Sequence, residues 1–205
     1  MLGGASIYVR GYDSVIAQEL AKICGGLIPV ARGEKMPSIG NVADRYLFCQ
    51  GLMIQKKRSD MTQAEEEEIW RVNYDDIARE CDRILEENEC ARICVIGSES
   101  AFKGSFNMVY AWAKQALHEY VETKRLKSPM QQLVCVAPTC ITGSGMNLRR
   151  NADGMAALAE RLDTHPKQRW LEPREVAEMV CFLLMVDKGY TTNVVIRMNG
   201  GEHCV

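Results

Sequence analysis

Residues 91–124 read ARICVIGSESAFKGSFNMVYAWAKQALHEYVETK, and this stretch decides the fold. Its first seven residues, ARICVIG, form a short apolar run closed by glycine, the pattern of a strand buried on both faces. The next ten contain three serines, a glycine and an asparagine, a composition that reads as loop. The loop leads into a helix near 110–124. The unit is strand, loop, helix, and its strand lacks the alternation that a half-exposed sheet requires.

The same alternation extends in both directions. SIYVR (6–10) is a strand candidate, followed by an amphipathic run over 14–24 that carries Val15, Ile16, Leu20 and Ile23. Asp13 or Ser14 serves as N-cap and Gly25–Gly26 stops the helix. GLIPVA (26–31) is a second strand, and Pro29 assigns it to a sheet edge because proline cannot donate to a ladder. Residues 32–43 read as loop, and RYLFCQ (45–50) as a third strand. Thr62 and Glu65 form a capping box that opens a long helix bearing Ile69, Val72, Ile77 and Ile84. QLVCVAP (132–138) is a strand and 139–150 is irregular. Pro173 starts another helix, and TNVVIRMNGG ends the pattern with a strand.

Strands alternating with helices imply an α/β fold with a doubly wound parallel sheet in a single domain, 1–205. Ligands bind such sheets outside the carboxyl ends of the strands. That rule points to Gly11, Cys49, Gln50, Gly51, Gly97, Ser98 and the segment 138–141.

Composition narrows the function. The 205 residues are 47% apolar, enough for one core, and the net charge of -2 is spread over both signs. Neither nucleic acid nor an anionic membrane surface is an expected partner. No apolar run reaches the length of a spanning helix and no leader pattern opens the chain, so the expected location is cytoplasmic. The nine cysteines include no C-x-x-C pair. Apart from the isolated His203–Cys204, none lies at zinc-ligand spacing from a histidine, so no metal is expected and they read as small buried hydrophobes.

Chemistry enters with Tyr-x-x-x-Lys. A phenol and an ammonium four residues apart share one helix face, and the positive charge favours the phenolate, allowing the tyrosine to act as acid or base. The motif alone is weak, and the chain carries it twice, as Tyr110–Lys114 and Tyr120–Lys124. Tyr110 follows a strand that ends in GSES, which puts hydroxyls near the phenol. Tyr120–Lys124 lies in the charged tail EYVETKR and reads as a solvated helix end.

The stretch ICVIGSESAFKGSFNMVYAWAKQAL resembles the catalytic segment of the short-chain dehydrogenase/reductase family. DRYLFCQGL, MTQAEEEEIWRVNYDD, LVCVAPTCITGSGMN and LEPREVAEMVCFLLMVDKGYTTNVVIRMNGGE resemble its other segments in the same order, over about 44–201. The resemblance implies a Rossmann-like fold and hydride transfer between NAD(P)(H) and a carbonyl or alcohol substrate. Tyr110 would exchange the proton, Lys114 would lower its pKa and hold the nicotinamide ribose, and Ser98, with Ser100 as alternative, would bind the substrate oxygen. Asn73 would order a water, although by itself it also reads as stabilising a helix bend. Gly11, Arg32, Cys49, Gln50, Gly51, Lys114, Pro138, Ile141 and Thr142 would contact the cofactor. Arg32, with no acidic residue beside it, favours NADP(H) over NAD(H). A homodimer or homotetramer is expected, from apolar residues such as Ile69, Ile77, Trp112 and Leu117.

The chain departs from the family in its N-terminal third. Gly11 stands at the first glycine of the phosphate turn, but Val15 and Ala17 occupy the other two positions; Gly3–Gly4 is an alternative without a preceding strand. About one αβ unit is missing between Ala31 and Asp44. These losses keep open a binding or regulatory protein with a degenerate cofactor site. A related epimerase or dehydratase of the extended type is a remoter option. Because a valine side chain crowds a phosphate that needs bare backbone, Val15→Gly is expected to tighten NADPH and NADH several-fold by calorimetry; unchanged or weaker binding would remove that alignment.

Overall fold

The computed structural model describes residues 6–38, 44–149 and 152–202. Gly3, Gly4, His203 and Cys204 lie outside the described residues. Six strands form one parallel sheet: β1 (Ile7–Arg10), β2 (Leu27–Pro29), β3 (Arg45–Phe48), β4 (Arg92–Ile96), β5 (Gln132–Pro138) and β6 (Val194–Met198). Their order is β2-β1-β3-β4-β5-β6, and each neighbouring pair is parallel. The order reverses beside β1, as in the doubly wound order 3-2-1-4-5-6, but with one strand instead of two on the β2 side and four instead of three on the other. β2, which contains Pro29, is an edge.

Alternation along the strands divides two cores. Ile7, Val9, Leu47, Cys94, Ile96, Val134 and Val136 face α1 (Val15–Cys24) and, near the C-terminus, a helix over Pro173–Cys181. Tyr46, Phe48, Ile93, Val95, Leu133 and Cys135 face the opposite way, against Ile77, Cys81, Ile84, Leu117 and Val121. A strand buried on both faces needs no polar alternation, which is why 91–97 reads as one apolar run.

The helix after Thr62 is capped as its sequence dictates. The Thr62 hydroxyl accepts from Glu65 N and the Glu65 carboxylate accepts from Thr62 N. It runs as α2 (Gln63–Trp70), widens to a π-helical turn over Arg71–Asp75, and continues as α3 (Asp76–Glu87). Asn73 sits in that wide turn, fully buried. Its Nδ2 donates to Ile69 O and Leu52 O, both at 2.8 Å, and its Oδ1 accepts from Leu52 N at 3.2 Å. The side chain thus fastens the loop after β3 to the helix and takes up a carbonyl that the π turn frees.

Two segments read as loop or irregular contain short helices, Ser100–Lys103 and Gly145–Leu148, and a further helix, Ala152–Asp163, falls where no element was read. α4 (Ser100–Lys103) breaks the loop after β4 and ends at Gly104. α5 (Met108–Thr123) is capped by Asn107, whose side chain accepts from Tyr110 N. After β5 come α6 (Gly145–Leu148), capped by Ser144, and α7 (Ala152–Asp163), an alanine- and leucine-rich run of good helix formers. α8 (Pro173–Cys181) then packs on α1.

Ile69, Ile77 and Leu117 do not form the apolar surface expected of an oligomer interface. They are fully buried within this chain, because the helices that carry them pack on the sheet and on each other. Of the four residues cited, only Trp112 is exposed, with Arg58 stacked 5.1 Å from its ring.

Asn73→Ala strips both Leu52 polar groups of a partner and is expected to cost about 2–4 kcal/mol, read as a lower urea midpoint. Stability unchanged from wild type would mean that water replaces the amide.

Candidate active site

A cavity of about 1170 Å³ lies along the carboxyl ends of β1, β3, β4 and β5. That exceeds the roughly 300–1,000 Å³ typical of small-molecule sites and suits an elongated ligand. The loops after β1, β2, β3, β4 and β5, the start of α1 and side chains of α5 and α7 wall it. Gly11, with φ of +84°, makes the first wall: a Cβ there would stand 2.6 Å from Gln50 N and 2.8 Å from Cys49 C. The turns after β1 and β3 therefore touch backbone to backbone, and only glycine fits. Gly51 similarly admits Met146, whose Cε would lie 2.7 Å from an added Cβ.

Tyr110, Lys114 and Ser98 all line this cavity, as do Gly11, Arg32, Cys49, Gln50, Gly51, Pro138 and Ile141. Ser100 lines it as well. Asn73 and Thr142 do not. Asn73 is spent on Leu52 and Ile69, as its reading as a helix-bend residue requires. Thr142 turns away because its hydroxyl bonds the Glu172 carboxylate and its N–H donates to Leu171 O.

Tyr110 and Lys114 are both buried, on one face of α5. Lys114 Nζ donates to Ile96 O at 2.8 Å and stands 6.0 Å from the Tyr110 ring centre. Burial pushes the Lys114 ammonium down to about 8. Burial also raises the Tyr110 phenol to about 12, against a side-chain hydrogen bond with Ser98 that lowers it. The sequence reading had the lysine lowering the tyrosine; instead desolvation dominates, and the opposing pull comes from Ser98 rather than from Lys114. The phenol is protonated at neutral pH.

His118, one turn beyond Lys114, completes the face. Its ring accepts at Nε2 from Ser98 N at 3.3 Å, and a Cβ at Gly97 would stand only 2.2 Å from that Nε2. The same helix face therefore holds the backbone on either side of Gly97. Burial, then Lys114 and Arg197, depress His118 to about 3, so the imidazole is neutral and can accept. The sequence reading missed His118, although its spacing of four from Lys114 marks it for the same face.

Arg10 and Glu34, also overlooked, shape the far end. Arg10 lines the cavity although it is buried, donates to Glu34 O, and leaves its Nε without a hydrogen-bond partner among the described residues. Glu34 lines the same end, with its carboxylate accepting from Ala31 N. An acidic residue thus does stand near Arg32. The second Tyr-x-x-x-Lys pair is elsewhere: Tyr120 and Lys124 both bond Asp82 on α3.

Comparison with solved structures matches this arrangement to the short-chain dehydrogenase/reductase fold. A short-chain dehydrogenase/reductase described as a glucose/ribitol dehydrogenase from Brucella melitensis superposes with a TM-score of 0.81 at 18% identity, over 98% of this chain and 97% of that one. A small-chain dehydrogenase in complex with NADPH gives 0.78 at 18%, over 97% and 99%. The chain has that fold, as its sequence segments predict.

Among curated proteins, the chain is 31% identical to the oxidoreductase YmfI of Bacillus subtilis (strain 168) over 102 residues, 49% of this chain and 40% of that protein. It is 24% identical to an acetoacetyl-CoA reductase of Allochromatium vinosum over 164 residues, 77% of this chain and 65% of that protein. The chain thus spans less than two thirds of the length of either relative. No protein-family model matches it. No helix among the described residues is long and apolar enough to cross a membrane.

His118 makes stability depend on pH with a defined sign. Its folded pKa of about 3 lies below the ordinary 6.5, so the unfolded chain binds more protons between those values. Stability is full above about 6.5 and falls as pH drops toward 3, by at most about 4–5 kcal/mol from this group. His118→Gln is expected to flatten that limb in urea melts from pH 7 to 4; an unchanged slope would assign it to other groups.

Proposed function

We propose that the chain is an NAD(P)(H)-dependent oxidoreductase acting on a carbonyl or alcohol substrate. The observation that carries the reading is the convergence of Ser98, Tyr110 and Lys114 on one cavity at the carboxyl edge of a doubly wound sheet. The walls also suit a dinucleotide. Gly11 keeps backbone bare where α1 begins, and the buried Arg10, whose Nε has no hydrogen-bond partner among the described residues although Glu80 stands 4.0 Å from its Nη1, favours an anion at the β2 end. Gly11, Cys49, Gln50, Gly51, Lys114, Pro138 and Ile141 would hold the nucleotide, which supplies the hydride when bound. Arg10 and Arg32 together support NADP(H) over NAD(H), against the Glu34 carboxylate that faces the same end.

In reduction, Tyr110 gives its phenolic proton to the oxygen of the forming alkoxide. A phenol held near 12 is a protonated donor at neutral pH. Ser98 donates to the same oxygen, and Lys114 faces the phenolate left behind. Asn73 acts at a distance by fixing Leu52, which lines the cavity. Trp112 and its neighbours on α2 and α5 leave a homodimer or homotetramer in the proposal, and a cytoplasmic location with it. The proposed unit is one NAD(P)-binding domain over 1–205.

The alternative, a nucleotide-binding regulator without turnover, is favoured by one feature. Val15 projects into the cavity at the first helical position of α1, and Ala17 is packed in the core.

Calorimetry with NADPH and NADH, followed by turnover on a panel of ketones and aldehydes, separates the two. Tyr110→Phe is expected to lower turnover by about 10²–10⁴-fold with folding intact, and Tyr120→Phe to leave it unchanged. No binding of either nucleotide at millimolar concentration would overturn the oxidoreductase reading. Full activity in Tyr110→Phe would overturn the site.

A further inference from the structure

The cavity continues past Tyr110 into a cationic end that the reaction above does not use. Lys103 closes α4, three residues after Ser100, and lines the cavity with its side chain 22% exposed. Arg161 reaches the same wall from α7. The two share one carboxylate: Glu202 accepts hydrogen bonds from Arg161 and lies 3.6 Å from Lys103 Nζ. Glu99, the other carboxylate of this wall, is buried and engaged with Arg197 and Asn199. Arg149, exposed, adds a further positive charge to the lining. Cations therefore exceed the carboxylates that face them.

This end adjoins the reacting groups. Arg161 Nη1 donates to Cys140 Sγ at 3.2 Å and its Nη2 to Thr139 Oγ1 at 2.7 Å. Thr139 and Cys140 line the same cavity as Ser98 and Tyr110. The guanidinium is held 5.3 Å from the Trp170 ring centre, so it is oriented before any ligand arrives. Burial, with Arg161 adding to it, pushes the Lys103 ammonium below its ordinary range against the pull of Glu202 and Glu99.

We propose that this end of the cavity binds an anionic group of the substrate, a carboxylate or phosphate, through Lys103 and Arg161 beside the reacting carbonyl. Calling the ligand a substrate rests on the oxidoreductase reading; the anion site itself does not.

The test titrates glutarate, inorganic phosphate and neutral glutaramide into the full chain by calorimetry, with and without saturating NADPH. At least one of the two anions is expected to bind and the diamide is not, and the better anion distinguishes carboxylate from phosphate. Lys103→Met and Lys103→Gln should each weaken that anion by about tenfold or more, the loss of one charge-assisted hydrogen bond. Glutaramide binding as well as glutarate, no binding of either anion, or a lysine variant that binds like wild type would overturn the proposal. If NADPH fails to bind while the Lys103-dependent anion binding persists, the oxidoreductase reading falls and the anion site stands.

Discussion

A buried ammonium group organises this molecule. Lys114 lies wholly inside the fold, and its Nζ donates to the last carbonyl of β4. That bond fixes the height of α5 above the sheet. Tyr110 one turn before it and His118 one turn after it then meet the chain at Ser98, the phenol by a side-chain hydrogen bond and the imidazole by accepting the backbone N–H. Three residues at intervals of four on one helix thus read out two residues past a strand end. Gly97 is the hinge of this arrangement, because no other residue leaves room for the His118 ring.

Such a site is costly to hold. Among the described residues no carboxylate forms an ion pair with Lys114, and an ammonium out of water without a counter-charge is unfavourable. Burial brings the Lys114 pKa down to about 8, so the group stays mostly charged at neutral pH but close to its titration, while the phenol stays protonated. A neutral phenol and a destabilised ammonium are thus held side by side. A ligand that brings hydroxyls or negative charge to Lys114 would raise its pKa again, which links binding to protonation at the place where a proton must move.

Much of this was legible in the sequence. Strand runs such as ARICVIG and QLVCVAP, the Thr62 capping box and Pro29 at an edge follow from local chemistry, and each stands where that chemistry puts it. The carboxyl-end rule located the cavity before any side chain was placed. What escaped were interactions between residues far apart in the chain. Arg10 and Glu34 meet through a loop, Arg161 and Glu202 join the far wall, and Ile69, Ile77 and Leu117 find their partners within one chain rather than in a second. Asn73 offered two readings, and only the π turn around it, invisible in a hydrophobic pattern, assigns its amide to Leu52 and Ile69.

Lys114 is a desolvated cation, and in the proposed reading the nucleotide is the group that partners it. Its titration can be followed by NMR on lysine labelled at the side chain, with Lys114→Met to assign the signal. The account predicts a midpoint near 8 in the free protein and an upward displacement on addition of NADPH. A midpoint near the ordinary lysine value of about 10.4, unmoved by NADPH, would contradict it.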